Sequence, residues 1–240
     1  LADWVEGERG LRFEHPVDVE FLDEEAYIEA ATTVEGAIDE EAEAAAEEAS
    51  ADFVALLRAV GLLAGDVDLA DAGESLAGDG TLAHYSWEDE VVRVKGTEIT
   101  PAVEVTLVHE LTHVLQDQHF DLSRLGDPDF ERPEQLRAMA EGDAQRIQWI
   151  YVDDELSDRE WEEMLAASEG DEAAAEEALA DVPETLVTLT AAPYRLGAGF
   201  LRYIEVADGE HAIDEVLIDP PTEEEMLDPR LWLEGTEPRE

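Results

Sequence analysis

The sequence predicts a helix-rich α+β fold in which a small β-hairpin precedes a buried helix. Short stretches alternate apolar and polar residues as strands do, and longer stretches place apolar residues at helical spacing. With 240 residues, 45% of them hydrophobic, the chain can bury a core of its own. We divide it into an acidic strand-helix region, 1–80, and a region 81–240 that carries the main motif, and expect the two to form one compact unit.

The N-terminal region is predicted to begin with strand and continue with helix. Residues 11–22 alternate around Pro16, which favours two short strand segments or one bent strand. Asp23 stands where the N-cap of a helix is expected, and residues 53–63 have the spacing of an amphipathic helix.

The C-terminal region begins with the predicted hairpin, formed by residues 81–87 and 91–95. We expect its second strand, Val91 to Lys95, to be an edge strand that an extended peptide can pair with. Pro101 marks the first turn of the next helix. Further helices are predicted at about 134–156, 158–179, 200–206 and 211–217, with a turn in the glycine-rich segment 193–200.

The charge of the chain is extreme, with 64 acidic residues against 14 basic ones and a formal charge of −50. Such a charge repels nucleic acid and anionic membrane surfaces and destabilises the fold by self-repulsion. At 1 M salt the Debye length falls to about 3 Å, which removes most of this repulsion. We therefore expect adaptation to high salt, and read the alanine- and glutamate-rich runs 35–50 and 170–181 as solvated helix or disorder.

Cysteine is absent, which excludes disulfides and thiolate metal ligands. No apolar run approaches the ~20 residues of a membrane span, and no signal peptide is visible. The chain begins at Leu1 rather than at methionine. From this we expect a mature product, located outside the cell or at its surface, from which a targeting segment has been removed.

The chemistry-bearing motif is H-E-x-x-H, formed by His109, Glu110 and His113. Two histidines four residues apart project from one face of a helix at a spacing that suits one tetrahedral zinc ion. Glu110 lies beside that face, where its carboxylate can take a proton from a metal-bound water. The motif also occurs by chance on polar helix faces, but here it is surrounded by apolar residues, and buried imidazoles need partners. These neighbours are Val105, Leu107, Val108, Leu111, Val114 and Leu115.

A catalytic zinc needs a third protein ligand, for which the sequence offers two candidates. Glu141 stands among small apolar residues on the following helix, and we favour it. His119 is six residues after His113, as in the metzincin pattern, but Gln116 occupies the place of the glycine that would turn the chain back to the metal. A continued helix would rotate His119 away from the metal.

The run from His109 to Phe120, together with Glu-Gly-Asp-Ala at 141–144, resembles a group of gluzincin-type zinc metallopeptidases that includes cell-surface proteins of halophilic archaea. Two looser motifs, at 193–200 and 220–226, extend the resemblance over about 81–229. It implies a zincin-like fold, His109, His113 and Glu141 as zinc ligands, and Glu110 as general base. Gluzincins often have an aspartate four residues after the ligand glutamate to hold the first histidine, whereas this chain has Gln145; Asp117, Asp121 and Asp143 are possible substitutes.

A donor to the developing oxyanion is also expected in such a site. Tyr194, after Pro193 and on the predicted turn, is the first candidate, although a packed core residue is the commoner role for a tyrosine so placed. His211 is the second candidate. We interpret His15 and His84 as structural or solvated.

The sequence thus predicts a zinc metallopeptidase that acts on peptide or protein substrates and binds no nucleic acid. The alternative is a non-catalytic cell-surface protein with a structural zinc site. Glu110 favours the enzyme, because a purely structural site needs no base beside its ligands.

Overall fold

The computed structural model of the chain describes residues 1–32, 51–63, 82–167 and 182–235. Its first elements are helix α1 (Ala2–Arg9), strand β1 (Asp18–Leu22) and helix α2 (Glu24–Thr32). The carboxylate of Asp23 accepts a hydrogen bond from the backbone N–H of Ala26 at 3.0 Å, so the predicted N-cap is confirmed. The strand predicted at 11–22 forms only in its second half, after Pro16.

A three-stranded sheet contains the predicted hairpin, strands β2 (Ala83–Ser86) and β3 (Val91–Lys95). Strand β3 pairs with β2 antiparallel and with β1 parallel, in the order β1-β3-β2. The expectation that Val91 to Lys95 forms an edge strand is therefore wrong, because β1 pairs along its whole length, from Asp18 opposite Val91 to Leu22 opposite Lys95. Within the described sheet, β2 has an edge without a neighbouring strand.

Two long helices follow the sheet, α3 (Pro101–Phe120) and α4 (Pro133–Glu155). The hydroxyl of Thr100 accepts from the N–H of Val103, and Pro101 occupies the first turn, so the predicted start of α3 is confirmed. Helix α3 ends at Asp121, whose φ of 59° is left-handed. A 3-10 turn, Leu122–Gly126, leads towards α4.

Helix α5 (Glu184–Asp208) is continuous through the segment 193–200, so the turn predicted there is wrong. Its glycines serve close packing instead. A Cβ on Gly197 would lie 1.7 Å from the carbonyl oxygen of Ala138, and a Cβ on Gly142 would lie 2.6 Å from the carbonyl carbon of Gly197. Helices α4 and α5 approach so closely at this point that neither can carry a side chain there.

The chain continues with three short helices: α6 (His211–Ile218), α7 (Glu223–Leu227) and α8 (Pro229–Gly235). Residues 51–59 and 158–167 are also helical, where the sequence predicts helices at 53–63 and 158–179. The runs 35–50 and 170–181 and the proposed division at residue 80 lie outside the described residues. In the ranges that are described, no helix combines the length and the apolar character needed to cross a membrane.

Helix α3 is packed on two sides, which makes it the structural centre. On one side Val92, Val94, Leu107 and Val114 join the sheet to the helix, and on the other Val5 and Ile147 pack against it. A separate apolar cluster unites α4, α5, α6 and α8 around Met139 and Phe200. The fold is thus α+β and helix-rich, with the sheet and α4 flanking the helix that carries the H-E-x-x-H motif.

Candidate metal centre

The structure brings His109, His113 and Glu141 together. The Nε2 atoms of the two histidines are 3.0 Å apart. The Oε2 atom of Glu141, on α4, lies 3.3 Å from Nε2 of His109 and 3.5 Å from Nε2 of His113. One ligand atom from each residue therefore faces the same point, and this group could hold a metal ion.

His119, the rival candidate, lies away from this group. Its Nε2–H donates to the backbone carbonyl of Arg12 at 2.8 Å, on the exposed side of α3. The helix continues past Gln116 to Phe120 without a break, so nothing turns His119 back towards the other histidines.

Gln116 itself has a role that the sequence interpretation missed. Its side-chain oxygen lies 2.9 Å from Nδ1 of His113, and its amide N–H group donates to the carbonyl of Ala140 and to Asp143, each at 3.0 Å. Because both of those partners are acceptors, the amide oxygen must face the histidine. Nδ1 of His113 therefore carries a proton, and Nε2 is the ring nitrogen that faces Glu141.

Asp143 anchors Gln116 from a fully buried position. Its carboxylate accepts from the guanidinium of Arg9 at 2.8 Å and from that of Arg146 at 3.1 Å, and Arg9 also pairs with Asp214 at 2.6 Å. Burial would raise the pKa of Asp143, but the two arginines hold it below its ordinary value. The first helix of the chain is thereby connected to the side chain that orients His113.

His109 is oriented by Gln148 and not by Gln145. Its Nδ1 atom lies 3.0 Å from the side-chain oxygen of Gln148, whereas Gln145 lines a groove against α5. Gln148 follows Glu141 by seven residues, close to two full turns, so it shares the face of α4 that carries Glu141. Of the proposed aspartate substitutes, Asp143 alone contacts a partner of a site histidine, since Asp117 accepts from Tyr85 and Asp121 from Ser123.

Glu110 is buried beside the histidines, and its Oε2 atom accepts from the backbone N–H of Tyr85 on β2 at 2.8 Å. Burial raises the pKa of Glu110 above its ordinary value. Burial alone would lower the pKa of His113, but the carboxylate of Glu141 overcomes this and raises it to about 9. In turn, burial opposes ionisation of Glu141, and the two histidines more than offset that effect and lower its pKa. The centre thus favours a positive charge next to the Glu141 carboxylate.

A cavity of about 210 Å³ opens onto these groups. The hairpin contributes His84, Tyr85 and Trp87 to its wall, and further residues come from the turn after α3 and from α4, namely Leu122, Leu125, Arg137 and Ala140. His84 was interpreted as structural or solvated, but it is half-buried in this wall, and burial, followed by the nearby Arg93, lowers its pKa. Its place depends on how the hairpin packs across α3, which no local pattern encodes.

Of the two expected oxyanion donors, the structure describes the side chain of His211, which is not in this wall. Tyr194 belongs to helix α5 rather than to a turn, and its side chain lies outside the described ones. His211 is exposed at the start of α6, 3.7 Å from Asp208.

Comparison with protein-family models, with curated proteins and with solved structures finds no match for this chain. The gluzincin resemblance thus remains a prediction that rests on the motifs.

Proposed function

We propose that this chain is a zinc-dependent peptidase adapted to high salt. The observation that carries the proposal is the convergence of two imidazole nitrogens and one carboxylate oxygen, with the separate carboxylate of Glu110 beside them in one cavity. Three protein ligands leave one position of a tetrahedral zinc for water, which is the arrangement typical of catalytic rather than structural sites.

The donor set fits zinc in both spacing and chemistry. Ligands about 2.0–2.1 Å from a tetrahedral zinc are separated from one another by roughly 3.3–3.4 Å. The three ligand atoms here are separated by 3.0, 3.3 and 3.5 Å. Gln116 and Gln148 each accept at a histidine Nδ1, which leaves Nε2 as the atom of each ring that would bind the metal.

In the proposed reaction, a zinc ion would lower the pKa of its water to about 7 and polarise the substrate carbonyl. Glu110 would take a proton from the attacking water as its oxygen bonds to the peptide carbonyl carbon, and would give that proton to the amine as the C–N bond breaks. The N–H of Tyr85 holds one oxygen of Glu110, which fixes the carboxylate in the cavity wall. Among the described residues of the wall, His84 is one polar side chain that offers a donor to the oxyanion, a role for which Tyr194 remains a prediction.

The substrate is proposed to be an extended peptide lying beside β2. This strand has a free edge within the described sheet, and two of its residues, His84 and Tyr85, line the cavity. The charge of −50 suits action in concentrated salt, and we expect the thermal midpoint of the protein to rise between dilute buffer and molar sodium chloride. Location outside the cell remains a prediction.

The decisive experiment combines zinc analysis with a peptidase assay in molar salt. Glu110→Gln should keep stoichiometric zinc, since the amide oxygen can still accept from Tyr85, while kcat falls by about 10²-fold or more. Glu134→Gln, an equivalent change on the exposed face of α4, is the matched control and should leave both quantities unchanged.

Two results would contradict the proposal. Activity that survives Glu110→Gln would exclude the assigned base. Stoichiometric zinc in a wild-type protein that cleaves no peptide in a broad peptide library would favour the alternative, a structural zinc site.

A further inference from the structure

Arg137 lies in the wall of the cavity, where none of the residues that the structure describes pairs with it. It is half-buried on α4, one helical turn before Glu141. Within the described part of the chain, no hydrogen bond or ion pair joins its guanidinium to another residue. A guanidinium offers five donors, so a half-buried one without acceptors is unusual.

Other arginines of the described ranges show that this is a local property. Each of the other buried or half-buried ones donates to a carboxylate or a carbonyl: Arg9, Arg93, Arg124, Arg132 and Arg146. The chain has 64 acidic residues for 14 basic ones, so carboxylates are abundant. None of the acidic side chains in the described ranges pairs with Arg137.

Glu141 would be the natural partner of Arg137, because side chains four residues apart on a helix are neighbours. Its carboxylate is instead directed at His109 and His113. Because the histidines engage the carboxylate of Glu141, the guanidinium of Arg137 is left without this acceptor while it lines the cavity. The arrangement therefore suits an anion that enters the cavity from solvent.

We propose that Arg137 binds a carboxylate of the peptide substrate, either the C-terminal carboxylate or an acidic side chain near the cleaved bond. This inference rests on the proposed peptidase function. A guanidinium matches a carboxylate through two parallel hydrogen bonds. Trp87, Leu122 and Leu125 supply apolar walls that strengthen such a contact by excluding water.

The composition of the chain makes a fixed cation in the cavity distinctive. Only 14 basic residues stand against 64 acidic ones, and Arg137 places one of these cations in the cavity wall. The volume of about 210 Å³ has room for a small group of this kind beside the centre.

The test compares matched tetrapeptides in molar salt. In the first pair, one peptide has a free C-terminus and the other has an amidated C-terminus. In the second pair both peptides are amidated, and one has Glu at the position where the other has Gln. For each peptide, kcat/KM is measured with the wild type, and equilibrium binding of its dansylated form is measured with zinc-loaded Glu110→Gln, which binds without turnover. We expect the carboxylate member of one pair to be favoured by about 10- to 100-fold, the usual contribution of hydrogen bonds to a charged group.

Arg137→Gln should abolish this preference, and Arg137→Lys should restore part of it, since lysine keeps the charge but loses the fork. Arg159→Gln, which removes the same charge from an exposed position outside the cavity, should leave the preference intact. The pair that shows the preference identifies which carboxylate is bound. Should Arg137→Gln fail to fold, a reduced preference in Arg137→Lys carries the same conclusion.

The inference would be overturned if kcat/KM and binding were equal for the two members of each pair. A preference that Arg137→Gln retains would also overturn it. The failure of the proposed function has a different signature. In that case the wild type cleaves none of the peptides, while the Glu110→Gln variant still binds the carboxylate member more tightly. The assignment of Arg137 as a carboxylate-binding residue would then stand.

Discussion

The two sides of helix α4 place charge in opposite ways. On the side that faces α1, Arg9 and Asp143 are almost completely buried, with side-chain exposures of 2% and 0%, and they pair with each other. On the side that faces the cavity, Arg137 has no partner in the described residues, and Glu141 pairs with the two histidines. Glu141 and Asp143 are two positions apart, which is roughly 200° around the helix. Residues close together in the sequence therefore place a carboxylate on the side that faces the cavity and on the side that faces α1.

The difference separates scaffolding from recognition. The buried side satisfies every charge internally, and its result is a fixed orientation of Gln116 and, through it, of His113. The cavity side leaves charge available to a ligand. Gly142, between the two carboxylates, lets α5 pack closely enough to hold this stretch of α4 in place.

The largest expected effect comes from breaking the buried side. Arg9→Met keeps the length of the stem but leaves Asp143 with one fewer cation, and loss of one partner of a buried ion pair typically costs about 3–5 kcal/mol of unfolding free energy. Urea unfolding in molar salt measures this loss. Arg12→Met, in the same segment but with 87% of its side chain exposed, is the control and should change stability by less than about 0.5 kcal/mol. Equal midpoints for the two variants would mean that Arg146 alone satisfies Asp143.

The next effect is on the cavity side and concerns the metal. Glu141→Ala removes one of three ligands. Structural zinc binding contributes about 10–16 kcal/mol, and one third of it is roughly 3 kcal/mol or more. Zinc should therefore be lost from this variant on dialysis. His119→Ala should keep stoichiometric zinc, because His119 contacts Arg12 and lies apart from the centre. Metal that follows His119 instead would mean that α3 breaks near Gln116 when zinc binds.

How far the sequence predicted this structure depends on the range of the interactions involved. Helix α3 begins where Thr100 and Pro101 indicate and carries the motif as expected, because caps and helical spacing are local. The hairpin was also predicted correctly. The pairing of β1 with β3 was not, since nothing within either strand specifies a partner so distant in the chain.

The same distinction applies to the site. Glu141 was predicted from its chemistry, as a carboxylate among small residues that needed a partner, and the structure places it beside the histidines. Gln116 was interpreted only as a missing glycine, because its contacts with Asp143 and Ala140 come from another helix. The glycines of segment 193–200 indicated a turn, yet the close approach of α4 requires them within a helix. In each case the error concerns a residue whose role is set by a contact between helices.

The smallest expected effect tests whether the buried side controls the cavity side. Gln116→Leu and Gln148→Leu each remove the acceptor that holds a histidine Nδ1, and loss of such a partner typically weakens metal binding by about 10- to 100-fold. We expect the larger loss for Gln116→Leu, since Asp143 and Ala140 fix its amide from behind. Gln145→Leu, on the same helix but facing the groove against α5, is the matched control and should leave the affinity unchanged. Competition with a zinc chelator measures all three. If Gln145→Leu weakens zinc binding as much as Gln148→Leu, then His109 is held through position 145, as the gluzincin resemblance implies, and the orientation by Gln148 is refuted.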